Sequence, residues 1–224
     1  MRAPLRLVLP IASALLALIL VLAIALNTSK GASGGARTAS EAQSSDGFDG
    51  ALLPSSAQAP GFTLSDQQGH ATSLSSYRGK VVVLVFLSST CRACVLVAQQ
   101  VRGALDELTA TAGAFKGTST GAADGVQVIF VSTDPHADTH ASVSRFLNET
   151  SLAGRAEYLV ASPGRLRALW HAYGFALTDS GQQASYPAAS VLLIDRGGSE
   201  RVELGLEQLT PESLAHDIRK LLGG

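Results

Sequence analysis

Cys91 and Cys94 stand in the stretch FLSSTCRACVLVAQQ, Phe86 to Gln100, and are the whole cysteine content of the chain. A pair so spaced can exchange electrons as a disulfide, hold a metal, or sit inert in a core. One turn of helix brings the two sulfurs within bonding range, with some ring strain that keeps the bridge reducible. As a structural staple the bridge would close too short a loop to add much stability. A closed zinc site needs about four ligands, and there is no second cysteine pair to supply them. Redox exchange is the chemistry favoured by this setting, with metal binding and inert packing as alternatives.

The setting is a buried strand running into a helix. VVVLVFL, Val81–Leu87, is an unbroken apolar run rich in β-branched residues, the pattern of a strand covered on both faces. Beyond SSTC, the residues Val95, Val97, Ala98, Val101, Leu105 and Leu108 recur with helical spacing. Cys91 is therefore expected where a helix begins, where free N–H groups and the helix dipole favour negative charge. That lowers the thiol pKa and enriches the reactive thiolate; Arg92 adds a cation next door. Cys94, one turn on, can resolve a mixed disulfide formed at Cys91.

The remaining elements supply the frame. APGFTLSDQQGHATSLSSYRGK reads as a short strand pair turning at DQQG, and VQVIFVS, Val126–Ser132, as a second buried strand. A helix is expected from about Asp138 to Glu149, a short strand at AEYLVA, and a helix from Ser162 as N-cap and Pro163 to a stop at Gly174. SVLLID (Ser190–Asp195) and RVELGL (Arg201–Leu206) form a hairpin over RGG, and Thr210 with Pro211 opens a closing helix. The order β-α-β-α-β-α-β-β-α predicts an α/β domain whose central mixed sheet is flanked by helices.

The 224 residues carry a net charge of −1, so no global field draws in nucleic acid, and nothing reads as a nucleic-acid binder. Residues 1–6, with Arg2 and Arg6, read as a cytoplasmic tail. Residues 7–26, Leu7 to Leu26, are free of charge and as a helix would span about 30 Å, the thickness of a bilayer core. The flanking arginines favour keeping the N-terminus inside. The expectation is a single-pass anchor in the cell membrane with the domain on the extracytoplasmic side. A signal peptide cleaved near Ala23–Ala25 is the alternative; its apolar region would be long against the usual ~7–15 residues. No cysteine directly follows the segment, so a cysteine-linked lipid anchor is excluded. Residues 27–58 are rich in Ser, Gly and Ala and read as a flexible linker, and residues 59–224 as the domain. Outside the cytosol, disulfides are permitted.

VVVLVFL, CRAC at a helix start and YPAASVLLID together resemble the thioredoxin-like fold. That resemblance implies a cis-proline before a strand, facing the cysteines. Tyr186-Pro187 is the matching dipeptide, and an X-Pro bond takes the cis form at modest cost; an ordinary trans proline is the alternative. Over most of Ala59–Leu222 the chain is similar to the Sco/SenC branch of that superfamily, with the STDP…DT stretch, Ser132–Thr139, as the most specific piece. The resemblance implies copper delivery to cytochrome oxidase or thiol management for its assembly. The chain departs from it where copper would bind. That family places three residues between its cysteines and a histidine just before the LID strand; here two intervene, and the histidine's place falls on Pro187. A soft Cu(I) site would lose a ligand. Both departures point towards tethered reductases of the TlpA or ResA type. Peroxiredoxins share the scaffold, but their threonine and proline ahead of the reactive cysteine are not matched in VFLSST before Cys91.

The expected activity is disulfide exchange with protein thiols and disulfides, in cytochrome or oxidase assembly by resemblance. Cys91, Cys94 and Pro187 are the catalytic residues, with no cofactor and no resident metal. A copper-binding chaperone using Cys91, Cys94 and a histidine, with His140 as candidate, is the alternative. His136 and His140 read as a solvated loop and helix-start pair, and His171 and Trp170 as partly buried helix residues. Asp134 and Asp138 read as helix-start residues, with polar lining near the cysteines as the other reading.

Overall fold

Each residue of the run Val81–Leu87 is buried, and the rest of the sheet is built outward from it. The computed structural model describes residues 47–54, 57–114, 125–174 and 190–223. Its elements are β1 (Ala51–Leu52), β2 (Thr63–Ser65), β3 (Ala71–Ser73), a 3-10 turn (Leu74–Tyr77), β4 (Val81–Leu87) and α1 (Arg92–Ala114), then β5 (Val126–Ser132), α2 (His140–Glu149), β6 (Ala156–Leu159), α3 (Pro163–Ala172), β7 (Val191–Ile194), β8 (Glu200–Leu204) and α4 (Pro211–Gly223). From β4 onward this is the expected order.

The main sheet runs β1-β8-β7-β4-β5-β6. β5 lies parallel to β4 and β6 parallel to β5, while β7 and β8 run antiparallel to their neighbours, so the sheet is mixed as expected. Alternation along β4 divides its side chains between two cores. Val81, Val83, Val85 and Leu87 pack with apolar residues of α1, α2 and α4, including Val101, Phe146 and Ile218. Val82, Leu84 and Phe86 pack with Leu166, Leu169 and Trp170 of α3 and with Leu64 and Leu74 of the β2–β3 region.

The helix ends follow local chemistry, with two differences from expectation. Thr139, not Asp138, is the N-cap of α2, and its side chain accepts from the Ser142 N–H at 3.2 Å. Ser162 holds the N-cap position of α3 but makes no side-chain cap bond; Pro163 at the first turn, which needs no N–H partner, serves instead. Gly174 ends that helix at φ +78, a conformation glycine adopts without Cβ strain. Trp170, expected to be partly buried, is buried and donates its indole N–H to the Ser132 carbonyl at 3.1 Å. His171, expected to be partly buried, is exposed, because it lies off the face of α3 that carries Leu166, Leu169 and Trp170.

The segment Leu7–Leu26 lies outside the described residues, and among those described no helix is long and apolar enough to cross a membrane. Composition assigns residues up to Gln58 to a linker, yet the sheet recruits part of them. Ala51 and Leu52 pair with Glu203 and Val202 of β8. The ladder continues through Leu53 N–H to the Arg201 carbonyl at 2.8 Å and Glu200 N–H to the Ala57 carbonyl at 2.8 Å. Gly50 permits the approach, since a Cβ there would come within 2.9 Å of the Glu203 carbonyl. Buried Asp217 of α4 accepts the backbone N–H groups of Asp49 and Gly50 at 2.8 and 2.9 Å.

At the DQQG turn, Asp66 Oδ1 accepts the N–H groups of Gln68 and His70, both at 2.8 Å. Burial pushes its carboxyl pKa up, but these bonds and the His70 side chain outweigh burial, so the group sits below its ordinary value. A depressed folded pKa contributes stability above the unfolded value near 3.9, lost as pH falls through the folded one. Asp66→Ala is expected to destabilise the domain by about 1–2 kcal/mol at pH 7. Urea unfolding should show the gap to the parent protein narrowing towards pH 3.

Candidate functional site

β4 ends at Leu87, and after three intervening residues Cys91 occupies the position before the first residue of α1. The Cys91 N–H donates to the Ser88 carbonyl at 3.2 Å, and the Cys94 N–H reaches both the Cys91 carbonyl at 3.1 Å and Cys91 Sγ at 3.2 Å. The sulfur thus takes the place that a serine or aspartate oxygen takes at a helix N-cap. Cys91 and Cys94 are joined as a disulfide, with Cα atoms 5.2 Å apart. Exposure separates the two: Cys94 is 3% exposed within the core, while Cys91 is only partly buried. Arg92 and Ala93 are exposed beside them, and Leu96, at 62%, is the more exposed of the two large apolar side chains left in solvent among the described residues. A partly exposed sulfur with its partner buried behind it is an arrangement suited to stepwise disulfide exchange.

Strand register gathers other segments at this end of the sheet. Leu87 pairs with Ser132, so the loop after β5 emerges beside the cysteine loop. Val191 pairs with Val85, so β7 enters the sheet at the same end. In the loop after β5, Asp134 Oδ1 accepts the N–H groups of His136 and Ala137 at 3.2 and 3.1 Å, a local turn. Asp138 departs from its expected role as a helix-start residue. It is 5% exposed, and its Oδ1 accepts from Ser88 Oγ (3.1 Å), Ser89 N–H (2.7 Å) and Ser89 Oγ (2.7 Å). Its Oδ2 accepts from Ser132 Oγ (2.6 Å) and Tyr158 Oη (2.8 Å). The polar lining near the cysteines is therefore its role. Tyr158, fully buried, also donates to the Leu87 carbonyl at 3.1 Å. Burial first, then the charge of Asp138, holds its hydroxyl far above the ordinary tyrosine range, so it stays a donor.

Of the predicted site residues, Cys91 and Cys94 are brought together; Pro187 and its neighbour Tyr186 lie outside the described residues. His136 and His140 are exposed, as expected. Among the described residues the one cluster of three metal-capable groups is Asp49, His216 and Asp217, and it includes neither cysteine nor His140. There Asp217 is engaged with two backbone N–H groups and fastens residues 49 and 50. Ser88, Ser89, Ser132 and Tyr158 went unread as site residues; the only trace of them in sequence is a serine-rich turn after one buried strand and a serine closing the next.

The SCO1/SenC family model matches residues 51–223. No curated protein matches the chain by sequence alone. Among solved structures, copper-bound ScoI from Bradyrhizobium japonicum is 26% identical, with a TM-score of 0.58 over 74% of this chain and 100% of that one. Apo Sco1 from Thermus thermophilus is 23% identical, with a TM-score of 0.61 over 78% of this chain and 97% of that one. The thioredoxin domain of a thiol-disulfide oxidoreductase from Bacteroides vulgatus is 19% identical, with a TM-score of 0.52 over 76% and 99%. The fold is thioredoxin-like.

Proposed function

The chain belongs to the SCO1/SenC family, and from that membership we propose that it is a membrane-tethered, extracytoplasmic thiol–disulfide oxidoreductase acting in cytochrome oxidase assembly. The observation that carries this reading is the asymmetric pair, with Cys91 accessible at a helix N-cap and Cys94 buried behind it. In the reduced chain the Cys91 thiolate attacks a partner's disulfide. The partner's S–S bond breaks, a mixed disulfide forms, and one partner sulfur leaves as thiolate. Cys94, once deprotonated, attacks the Cys91 sulfur, closes the intrachain bridge and releases the second partner thiolate. Two electrons pass to the partner, and a dithiol donor returns two to the chain. The Cys94 N–H already directed at Cys91 Sγ supports that sulfur when it carries charge. In this reading Pro187 shapes the surface that receives a partner's chain beside the cysteines. Leu7–Leu26 is the anchor in this reading.

The copper-bound ScoI neighbour favours a second reading, in which copper is cargo held by Cys91, Cys94 and a further donor. The two-residue cysteine spacing weighs against it, and among the described residues no metal-capable cluster of three joins His140 to the cysteines. Two assays on the reduced protein divide them. Turnover of a protein disulfide with a dithiol donor in copper-free buffer is expected, and would be absent in a carrier. Stoichiometric Cu(I) binding in anaerobic titration, lost on Cys→Ser exchange, with no such turnover would establish the carrier instead.

A further inference from the structure

Asp138 lies between two bodies that the chemistry needs in fixed relation. On one side its Oδ1 gathers Ser88 and Ser89, the first two residues after β4, through three bonds of 2.7–3.1 Å. On the other its Oδ2 is gripped by Ser132 at the end of β5 and Tyr158 of β6, two strands of the rigid sheet. The loop it holds is short. Ser88 receives the Cys91 N–H on its carbonyl, and its hydroxyl meets Thr90 Oγ1 at 3.1 Å, so the set of Ser88 determines where Cys91 stands. A short planar side chain with a hydrogen-bonding atom at each tip suits this task, since it can bond to both sides at once. Burying it is tolerable because five donors replace its water.

We propose that Asp138 is a positioning residue for the cysteine pair: it clamps the Ser88–Ser89 turn to the β5–β6 end of the sheet and so holds Cys91 Sγ at the N-cap of α1. This rests on the reading of Cys91 as the attacking thiol, and it adds the residue that aims it. An asparagine of the same shape can still bridge the gap, its oxygen accepting from the Ser89 N–H and its amide donating to the Ser132 and Tyr158 oxygens, whereas alanine leaves the turn unattached. Position rather than charge is therefore what the clamp supplies.

The test is the rate at which Cys91 of the reduced full-length protein is alkylated by iodoacetamide at pH 7, with the site read by mass spectrometry. Asp138→Ala is expected to slow it roughly tenfold, through a smaller thiolate fraction. Asp138→Asn is expected to restore it to within about twofold. A folded Asp138→Ala protein alkylated at the parent rate would overturn the proposal, and so would Asp138→Asn slowed as far as the alanine variant. Should Asp138→Ala fail to fold, the Ser132→Ala, Tyr158→Phe double variant releases the clamp from the sheet side; slowed alkylation supports the clamp and an unchanged rate overturns it. These are comparisons between variants, so they remain readable if the parent protein proves inactive towards protein disulfides, which would remove the functional reading alone.

Discussion

Cys94→Ser protein is expected to accumulate a covalent partner on Cys91, visible as a band that disappears with reductant. Cys91→Ser protein is expected to form none and to lose disulfide turnover by on the order of a thousandfold. The asymmetry follows from burial. Cys91 alone is open to an incoming disulfide, while Cys94, 3% exposed, meets only the Cys91 sulfur. Remove the inner thiol and the first exchange still occurs, but nothing inside the chain releases the product. Remove the outer thiol and no exchange begins, because the remaining sulfur is enclosed by the α1 core. The check is non-reducing electrophoresis of acid-quenched cells, with turnover measured on the purified proteins. A Cys91→Ser protein that keeps turnover, or equal trapping by both single variants, would refute the order of attack.

The second large effect concerns stability. Phe130 is fully buried in β5, with its ring centroid 5.8 Å from Phe146 of α2 and 6.2 Å from Tyr158 of β6. Phe146 and Tyr158 are themselves 6.0 Å apart, so the three rings close a triangle under the Asp138 clamp. Phe130→Ala removes the middle strand's share of that triangle and leaves a cavity that neighbours on three elements cannot all collapse into. The expected cost is about 3–5 kcal/mol, or a fall in Tm of about 10 °C for a domain of this size. Urea unfolding with an unchanged slope is the measurement. A loss under about 1 kcal/mol would mean that the rings are not the support described here.

What could be read from the residues alone was whatever is encoded locally. β4 and β5 are continuous β-branched runs, and β-branching with burial on both faces leaves few other structures open. The start of α1 at the cysteines was legible because a helical apolar pattern follows the strand at once. Asp138 was misread for a physical reason: an aspartate ahead of a helix normally caps it, and local grammar assigned it that work. Thr139 took the cap, and donors as far off in sequence as Ser89 and Tyr158 claimed the carboxylate. Nothing near position 138 announces such partners. The same holds for Tyr158, whose place in a short strand is legible while its hydroxyl partners are not. β1 was hidden because two residues in a Ser- and Gly-rich surrounding carry no pattern of their own; β8, far along the chain, supplies the pairing.

That pairing also bears on how the molecule behaves in company. With Ala51, Leu52, Leu53 and Ala57 in place, the outward hydrogen-bonding groups of β8 are already taken. A chain trimmed to begin at Ala59, where composition turns domain-like, would present β8 bare, and an unprotected strand margin is a template on which a second molecule can build. The short leading segment is thus a guard against self-association.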